Sequence, residues 1–490
     1  MNKTFKKMLV SGAAFALLGG VLAGCGGLKG DAGKATKDDD GKTLLMYQIG
    51  DKPENYDQLM EVANKRIKDK IGYKVNLQYI GWGDYEKKMS VITSSGENYD
   101  IALAKNYVAN AQKGAYADLT DMLPKYAKES YDMLDEAYIQ GNTVNGKLYA
   151  MPVNGNVYAQ QVLSFNSTFL DKYNLDVSNV KTLADMEPML KVIKEKEPNV
   201  VPVAAGSGWR VIRDIEYVMD DKVPLAVDIH GDTTKIINPY ETGDGVIPDL
   251  KTMHKFYELG YVAKDAATSN TDYNLESDTW FARIETQGPY DYGDTLLTRA
   301  AQKPIVSRPI TSPIKNTANA RMANFVVSNN SKNKEKSVEL LNLLNSDPEL
   351  LNGLVYGIED ETWKKLDNDR VELLKAYGPK NHMSAWNTGN NEIVYLEKSI
   401  TDEQIEKRKD SIENAEKSPL LGFNFVTDNV KTELTNINNV MSQYLDGLHT
   451  GTLDPDKALP EMNQKLNGAG LEKVKAEMQK QFDEFNKSKK

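Results

Sequence analysis

The sequence predicts an α/β protein of two domains or lobes that ends in a helical extension. Short apolar runs alternate with amphipathic stretches between residues 43 and 104, which is the pattern of β-α-β units. The chain has 490 residues, enough for two ordinary domains even after loss of an N-terminal leader. From residue 427 onward apolar residues recur at helical spacing, with one break at 451–455.

The N-terminal half of the pattern is the most regular. Strands are predicted at 43–49, 73–80 and 99–104, and helices at 55–70 and 84–95. The first helix carries one apolar face, made of Leu59, Val62, Ala63 and Ile67. A β-α-β-α-β series predicts a parallel sheet with right-handed crossovers.

Later elements are predicted one by one. Asn145-Gly146 between two short apolar runs predicts a two-residue hairpin. Further strands are predicted at 162–166, 200–205 and 280–286. Further helices are predicted near 167–173, 183–196, 247–259, 334–345 and 348–356. Trp363 lies in a charged, helix-like stretch, and we expect it to be structural.

The N-terminus predicts export. Three lysines precede an apolar run, residues 8–23, which is too short and Gly-rich for a membrane span and typical of a secretory signal. The run ends at Leu22-Ala23-Gly24-Cys25, and Cys25 is the single cysteine of the chain. The arrangement resembles a bacterial lipobox; an ordinary signal peptide with a coincidental cysteine is the alternative. Residues 26–42, rich in Gly, Lys and Asp, predict a flexible tether.

Composition excludes several classes of function. The formal charge is −10, and loss of residues 1–24 with their three lysines makes it −13, which argues against nucleic-acid binding. Without a second cysteine there is no disulfide. The four histidines are scattered without metal-site spacing, and there is no phosphate-binding glycine loop or nucleophile elbow. We therefore expect no metal, no cofactor and no catalytic residues.

The predicted parallel sheet suggests where a ligand binds. In open parallel sheets ligands lie outside the carboxyl ends of the strands. The loops at those ends contain the first candidate ligand contacts: Asp51, Trp82, Asn106 and Tyr107. Aromatic faces cover the C–H face of a sugar ring, and amides, carboxylates or Arg bind its hydroxyls. These residue types therefore favour a hydroxyl-rich ligand.

Further candidates lie in later loops and strand ends. They are Trp209, Arg210, Trp280, Tyr290, Trp386 and Asn387. Trp386 and Asn387 belong to a polar loop, residues 382–390, that has no core periodicity. For each tryptophan the alternative is a place in the core, for Tyr290 a packed turn, and for Arg210 an ion pair across the lobe interface.

Several motifs then occur in a recognisable order. They are Ser94–Ile101, Asn145–Pro152, Ser331–Lys336 and Tyr356–Glu359. With the lipobox, the chain resembles the family 1-like extracellular solute-binding lipoproteins of Gram-positive carbohydrate ABC importers. The tail from Leu421 to Phe485 is similar to the C-terminal domain of uncharacterised function that marks one subfamily. Asp360 departs from the pattern, because a glycine is expected there.

The resemblance implies a two-lobed, periplasmic-binding-protein-like fold with a hinge, an interlobe ligand cleft and a helical C-terminal extension. The implied divisions are a signal peptide (1–24), a lipidated tether (25–42), an N-terminal lobe (43–156 plus 278–328), a C-terminal lobe (157–277 plus 329–426) and the extension (427–490). The chain would cross between lobes near 157–165, 278–288 and 320–328.

The resemblance also implies a function. The protein would be held at the outer face of the cell membrane by a diacylglyceryl group on Cys25, as a monomer. It would capture an oligosaccharide and deliver it to the permease subunits of an ABC transporter, without catalysing a reaction. The alternatives are a peptide or other small solute as ligand, or a surface polysaccharide-degrading enzyme.

Overall fold

The computed structural model describes residues 41–489, apart from residues 242, 244, 272 and 379. The predicted signal peptide (1–24), the predicted lipidation residue Cys25 and nearly all of the predicted tether (25–42) lie outside the described residues. The chain from Lys42 onward forms one unit, built around two larger sheets.

The strands and helices follow in chain order. The first stretch contains β1 (Thr43–Ile49), α1 (Tyr56–Ile71), β2 (Lys74–Ile80), α2 (Tyr85–Ser95), β3 (Ile101–Leu103), α3 (Tyr107–Gln112), α4 (Met122–Tyr126), α5 (Lys128–Asp132), α6 (Glu136–Asn142), β4 (Thr143–Val144), β5 (Lys147–Leu148) and β6 (Ala150–Pro152). The second contains β7 (Tyr158–Asn166), α7 (Ser167–Tyr173), α8 (Glu187–Lys196), β8 (Val201–Val203), β9 (Ile215–Tyr217), β10 (Ala226–Asp228), α9 (Ile247–Glu258), β11 (Trp280–Gln287), α10 (Thr295–Ala301), β12 (Ile305–Pro309), β13 (Ile314–Lys315) and α11 (Thr317–Ala320). The third contains β14 (Asn324–Val327), α12 (Lys334–Ser346), α13 (Pro348–Tyr356), β15 (Trp363–Leu366), β16 (Arg370–Leu373), β17 (Leu396–Glu397), α14 (Asp402–Asn414), β18 (Glu416–Lys417), α15 (Lys431–His449), α16 (Pro455–Gly468) and α17 (Leu471–Ser488).

The first lobe is built on a five-stranded sheet in the order β2-β1-β3-β14-β6. β1, β2 and β3 are parallel, as the series of elements predicts. β14 runs antiparallel to both β3 and β6. Asn145 and Gly146 join β4 to β5 with φ angles of 52° and 76°, the left-handed pair that a type I′ hairpin turn requires.

One residue of the predicted face of α1 is placed differently. Leu59, Ala63 and Ile67 are buried, but Val62 is 57% exposed. The buried stripe instead includes Met60, so the apolar face is rotated away from Val62. Apolar spacing predicted a face that includes Val62, but packing against the sheet buries the face that includes Met60.

The second lobe is built on a mixed sheet in the order β18-β13-β7-β11-β8, with β12 also paired to β7. β7 is the long central strand, antiparallel to β11, β12 and β13. Phe165 on β7 and Phe281 on β11 are fully buried with ring centroids 5.6 Å apart. They belong to a large core that also includes the buried faces of α7, α8 and α9.

The lobe boundaries differ from the predicted ones. β11, β12 and β13, expected in the first lobe as part of 278–328, pair within the second sheet. α12 and α13, expected in the second lobe as part of 329–426, place buried leucines in the core of the first lobe. Local patterns define strands and helices, but which sheet a strand joins depends on contacts distant in sequence.

The chain therefore crosses between the lobes at three other places. The first crossing, residues 153–157, joins β6 to β7, close to the predicted one. The second, residues 316–323, joins β13 to β14, and the third, residues 398–415, joins β17 to β18. The predicted crossing at 278–288 is replaced by this third segment, since β11 stays inside the second sheet.

A small sheet, β15-β16-β17, packs on α13 of the first lobe. Trp363 begins β15, so the helix-like prediction there is wrong, although the residue is buried in the small core. The indole Nε1 donates a hydrogen bond to the Gly357 carbonyl at 3.0 Å.

The C-terminal helices complete the core of the second lobe. Buried side chains of α15, α16 and α17, including Met441, Met462 and Phe482, belong to the same core as Phe256 of α9. The fully buried His449 of α15 accepts a hydrogen bond from the Val211 amide at 3.0 Å. The predicted extension is helical and shares its core with the second lobe.

Two further findings concern the described part of the chain. None of its helices combines the length and apolarity that a membrane span needs. Nor does it contain a group of three or more His, Cys, Asp or Glu side chains that could hold a metal ion.

Candidate functional site

A cavity of about 480 Å³ lies between the two lobes, a volume typical of small-molecule sites. Its floor comes from the first two crossing segments, residues 153–156 and 319–323. One wall comes from residues 286–299 of the second lobe. The other wall comes from the first lobe and consists of the end of α13 and residues 377–397. Six tyrosines line the cavity: Tyr138, Tyr290, Tyr292, Tyr356, Tyr377 and Tyr395.

The floor contains a buried side-chain acceptor, Asn156 Oδ1. The Gly155 amide donates to the Tyr138 hydroxyl at 2.8 Å, which fixes the first crossing segment. Next to it, Asn156 Oδ1 is buried and has no hydrogen-bond partner among the described residues. A Cβ at position 288 would lie 2.3 Å from Asn156 Cγ, so this close approach requires Gly288. A buried amide oxygen of this kind requires a donor that none of the described residues supplies.

The tyrosines of the second lobe are held by groups from the first lobe and the third crossing. The Tyr290 hydroxyl donates to Glu392 Oε2 at 2.6 Å. Arg408 of α14 donates from Nη2 to Glu392 Oε1 at 2.8 Å and from Nη1 to the Tyr292 hydroxyl at 2.9 Å. Burial raises the pKa of Tyr290 well above its ordinary value, so its hydroxyl stays protonated. Both rings are therefore fixed in place.

Charged groups also line the cavity. The guanidinium of Arg299 on α10 pairs with the carboxylate of Glu397 on β17, which links the two lobes. The Gly288 amide donates to Asp291 Oδ2 at 2.5 Å, and burial raises the pKa of Asp291. The cavity therefore combines one paired cation with two carboxyl groups.

The first-lobe wall carries a stacked pair. The rings of Tyr377 and His382 lie 4.7 Å apart and 21° from parallel. His382 Nδ1 lies 2.9 Å from the Gly378 carbonyl, so Nδ1–H donates and Nε2 accepts from the Tyr377 hydroxyl at 3.1 Å. Burial lowers the pKa of His382, which leaves it neutral at pH 7.

Trp386 lines the cavity in the predicted polar loop, and a second predicted tryptophan lies beside it. The rings of Trp82 and Trp386 are stacked with centroids 5.9 Å apart. Trp82 follows β2, is 57% exposed, and its Nε1 would lie 3.9 Å from a Cβ built on Gly50 at the end of β1. The carboxyl ends of β1 and β2 thus reach the mouth of the cavity.

Asp51 and Asn387 lie near this pair but do not line the cavity. Asp51 is exposed in the loop after β1. Asn387 is buried: its carbonyl accepts from Gln48 Nε2 at 2.5 Å, and its Nδ2 donates to the Ile49 carbonyl at 3.4 Å. Asn387 therefore anchors the Trp386 loop to β1.

Asn106 and Tyr107, at the end of β3, lie away from the cavity. Tyr107 is buried, and its hydroxyl donates to the Asn142 carbonyl at 2.7 Å and accepts from the Tyr149 amide at 3.1 Å. Asn106 precedes α3 with a φ of 48° and is exposed. The strand-end rule therefore brings the loops of β1 and β2 to the cavity, but not the loop of β3.

Trp209 and Arg210 contact the C-terminal helices instead of the cavity. Arg210 pairs with Asp221 at 2.5 Å and with Asp446 of α15 at 2.8 Å. Trp209 packs against the core of the second lobe. The alternative for Arg210 was an ion pair across the lobe interface. Arg210 does pair with acids, but both acids belong to the second lobe.

Trp280 is fully buried at the start of β11. Its Nε1 donates to the Asn274 carbonyl at 2.9 Å, and its ring belongs to a small core with Ala301 and Ile305. A fully buried indole has no face left for a ligand, so we leave Trp280 out of the proposed site.

Several lining residues were not among the sequence candidates. Tyr356, Tyr377, Tyr395 and the Arg299–Glu397 pair come from helix ends, loops and a short strand. The 25 tyrosines of the chain indicate that aromatic side chains are available for ligand contacts, but the count does not identify which tyrosines line the cavity. Tyr377 and Tyr395 flank the predicted polar loop, which was the nearest local indication.

Comparison with known proteins identifies two family matches. Residues 61–355 match the model described as bacterial extracellular solute-binding protein, and residues 419–487 match a domain of unknown function (DUF3502). A carbohydrate ABC transporter substrate-binding protein of Streptococcus pneumoniae is 53% identical over the whole length of both chains.

Solved structures agree with these matches. The crystal structure of the N-glycan transport solute-binding protein NgtS from Streptococcus pneumoniae has 55% identity, covers 91% of this chain and 100% of its own, and superposes with a TM-score of 0.89. The structure of the same protein in complex with Man5GlcNAc has 55% identity, covers 91% and 99%, and has a TM-score of 0.79.

Proposed function

The chain belongs to the bacterial extracellular solute-binding proteins, and from that premise we propose that it captures an oligosaccharide in the interlobe cavity and delivers it to the permease of an ABC transporter. The observation that carries the proposal is the lining of the cavity. Flat faces come from Tyr290, Tyr292, Tyr377 and Trp386, which line the cavity without being fully buried, and directed hydrogen-bonding groups come from Asn156, Glu397 and Arg299.

This combination matches the chemistry of a sugar. The C–H face of a pyranose ring packs against aromatic rings, while its hydroxyls need donors and acceptors at its edge. Binding at micromolar affinity corresponds to about −8 kcal/mol, which several such contacts have to supply together. Fixed tyrosine rings lower the entropic cost, because little side-chain freedom is lost on binding.

The relatives support an oligosaccharide over other solutes. The 55% identical NgtS was crystallised with Man5GlcNAc, a mannose-rich oligosaccharide. A peptide ligand would need unpaired charges in the cleft for its termini, whereas Arg299 and Glu397 already pair with each other. We therefore favour a neutral, hydroxyl-rich ligand.

Closure of the lobes is the proposed means of capture. At equal sequence identity, this structure superposes better on NgtS without a named ligand than on its Man5GlcNAc complex, with TM-scores of 0.89 and 0.79. This difference supports an open form here and a hinge motion on binding. Such a motion would act through the three crossing segments.

Location at the membrane is part of the proposal. We propose that the signal peptide is removed and that Cys25 carries a diacylglyceryl group, so that residues 26–42 tether a monomer to the outer face of the cell membrane. Mass spectrometry of the protein from cell membranes tests this: we expect a lipid-modified Cys25 at the N-terminus. An N-terminus elsewhere, or an unmodified thiol, would contradict it.

A thermal-shift panel tests the proposed ligand class. Purified residues 26–490 are mixed with mannose-containing oligosaccharides, with other sugars and with short peptides. A ligand present at 100 times its Kd stabilises the folded state by about 2.7 kcal/mol, which raises the Tm. We expect the Tm to rise with oligosaccharides and not with peptides. A rise with peptides alone overturns the proposal. Product formation from polysaccharides would identify an enzyme instead.

A further inference from the structure

The cavity contains a cation that is not available to a ligand anion. Among the described lining residues, those with ionisable acid or base side chains other than tyrosine are Asp291, Arg299, His382 and Glu397. The Arg299 guanidinium is paired with the Glu397 carboxylate. His382 is neutral, because burial lowers its pKa. The cavity thus offers no unpaired positive charge along the part of its lining that the structure describes.

The pair is held from both sides. Glu397 belongs to β17, which pairs with β16 in parallel register, so its backbone position is fixed by the small sheet. Arg299 lies in the last turn of α10 on the opposite wall. Arg299 is 46% exposed and Glu397 21%, so both still face the water that a ligand would displace.

The remaining acid adds no positive charge in either state. Asp291 accepts a hydrogen bond from the Gly288 amide. Burial raises its pKa, and protonation would only make it neutral. The formal charge of the cavity is therefore zero or −1, within a chain whose net charge is −10.

We propose that the Arg299–Glu397 pair makes the cleft selective for uncharged oligosaccharides, and that Glu397 is the specificity-determining residue, because it withholds the guanidinium from acidic sugars. This proposal rests on the proposed function. A sugar carboxylate entering the cavity loses water, finds no free cation, and faces Glu397 and Asp291. A neutral sugar pays none of this cost and can still use the N–H groups of Arg299 that Glu397 leaves free.

Substitution of Glu397 should reduce the preference for uncharged over acidic sugars. Glu397→Gln removes the competing carboxylate, so the guanidinium becomes free to bind a sugar carboxylate in a bidentate manner. Glu397→Asp keeps the negative charge and serves as the conservative control. Arg299→Gln removes the cation and should not gain affinity for acidic sugars.

Isothermal titration with three matched probes tests the proposal. The probes are Man5GlcNAc, its derivative with one primary hydroxyl oxidised to a carboxylate, and the amide of that derivative, which has nearly the same size without the charge. For the wild-type protein we expect the acid to bind at least tenfold more weakly than the amide, a difference of about 1.4 kcal/mol. The ratio should fall at least tenfold in Glu397→Gln and persist in Glu397→Asp.

The outcomes separate the two proposals. If the wild-type protein binds acid and amide equally, the selectivity inference is overturned while the proposed function stands. If Glu397→Gln folds, as judged by its Tm, and leaves the ratio unchanged, the role of Glu397 is overturned. If no oligosaccharide binds to the wild-type protein, these three probes included, the proposed function fails and the inference fails with it.

Discussion

The indole rings of Trp82 and Trp386 stack at the mouth of the cleft, with centroids 5.9 Å apart and planes inclined by 22°. Trp386 lines the cavity, while Trp82 extends outward and is 57% exposed. Together they form an aromatic surface that runs from the cavity to solvent. A ligand longer than the cavity can therefore continue along Trp82.

The first prediction concerns this pair. Trp386→Ala removes a stacking face inside the cavity, and we expect oligosaccharide affinity to fall at least tenfold, about 1.4 kcal/mol. Trp82→Ala should weaken longer oligosaccharides more than short ones. Isothermal titration measures both. Trp209→Phe, which removes an indole outside the cavity, is the control and should bind as the wild type does; equal affinity in all variants would exclude the stacking role.

The second prediction concerns the Tyr290–Glu392 hydrogen bond. Tyr290→Phe and Glu392→Gln should each lower the free energy of unfolding by about 1 kcal/mol. A double-mutant cycle in urea should give a coupling energy of roughly 0.5–3 kcal/mol, because the buried Arg408 also bonds to Glu392 and holds the acceptor of the Tyr290 hydrogen bond in place. The pair Tyr126–Glu335, also joined at 2.6 Å but with Lys125 instead of the buried Arg408 beside it, is the matched control. Its coupling should be smaller; equal couplings would mean that the cleft pair is not held by its surroundings.

The third prediction concerns pH. His449 is fully buried, accepts from the Val211 amide and contacts the Tyr240 hydroxyl at 2.8 Å, and burial lowers its pKa from 6.5 to about 3. Between these values the unfolded state binds a proton that the folded state does not, so stability falls as the pH falls, by up to about 1.4 kcal/mol per pH unit. The Tm of His449→Gln between pH 7 and 4 should fall less steeply than that of the wild type. Identical slopes would contradict the buried, neutral imidazole.

The fourth prediction concerns the C-terminal helices. A chain ending at residue 426 lacks α15–α17 and exposes the core that they share with α9. We expect it to lose cooperative thermal unfolding or to aggregate, because the lost burial exceeds the marginal stability of a domain. A chain ending at Asn486 is the control and should melt close to the wild type. A well-folded 43–426 fragment would show that the helices are an independent unit.

Local pattern was sufficient for the elements from β1 to β3 of the first lobe, but it did not predict α3–α6. The alternation from β1 to β3 and the Asn145-Gly146 turn are encoded by neighbouring residues, so they were predicted closely. The exchange of β11–β13 and α12–α13 between lobes was not predicted, since it depends on which sheet completes its hydrogen bonds. Position in the chain gave no information about that choice.

The residues of the candidate site also divide into those that local sequence pattern predicted and those that it did not. Trp386 lies in a polar loop without core periodicity, and Trp82 follows a predicted parallel strand, so local reasoning reached both positions. Trp280 stands at a strand end too, yet it is buried under Ala301 and Ile305. Arg299 and Glu397 gave no sequence signal, because they form an ion pair only where α10 and β17 meet across the cleft.

The most direct test of the account is an isothermal titration of Man5GlcNAc into residues 26–490. We expect one site per chain with a micromolar or tighter Kd and a negative heat-capacity change, because aromatic surface becomes buried in the cleft. The absence of saturable binding at millimolar concentrations of this and other oligosaccharides, or binding that survives Trp386→Ala unchanged, would contradict a cleft that binds sugar through its aromatic lining.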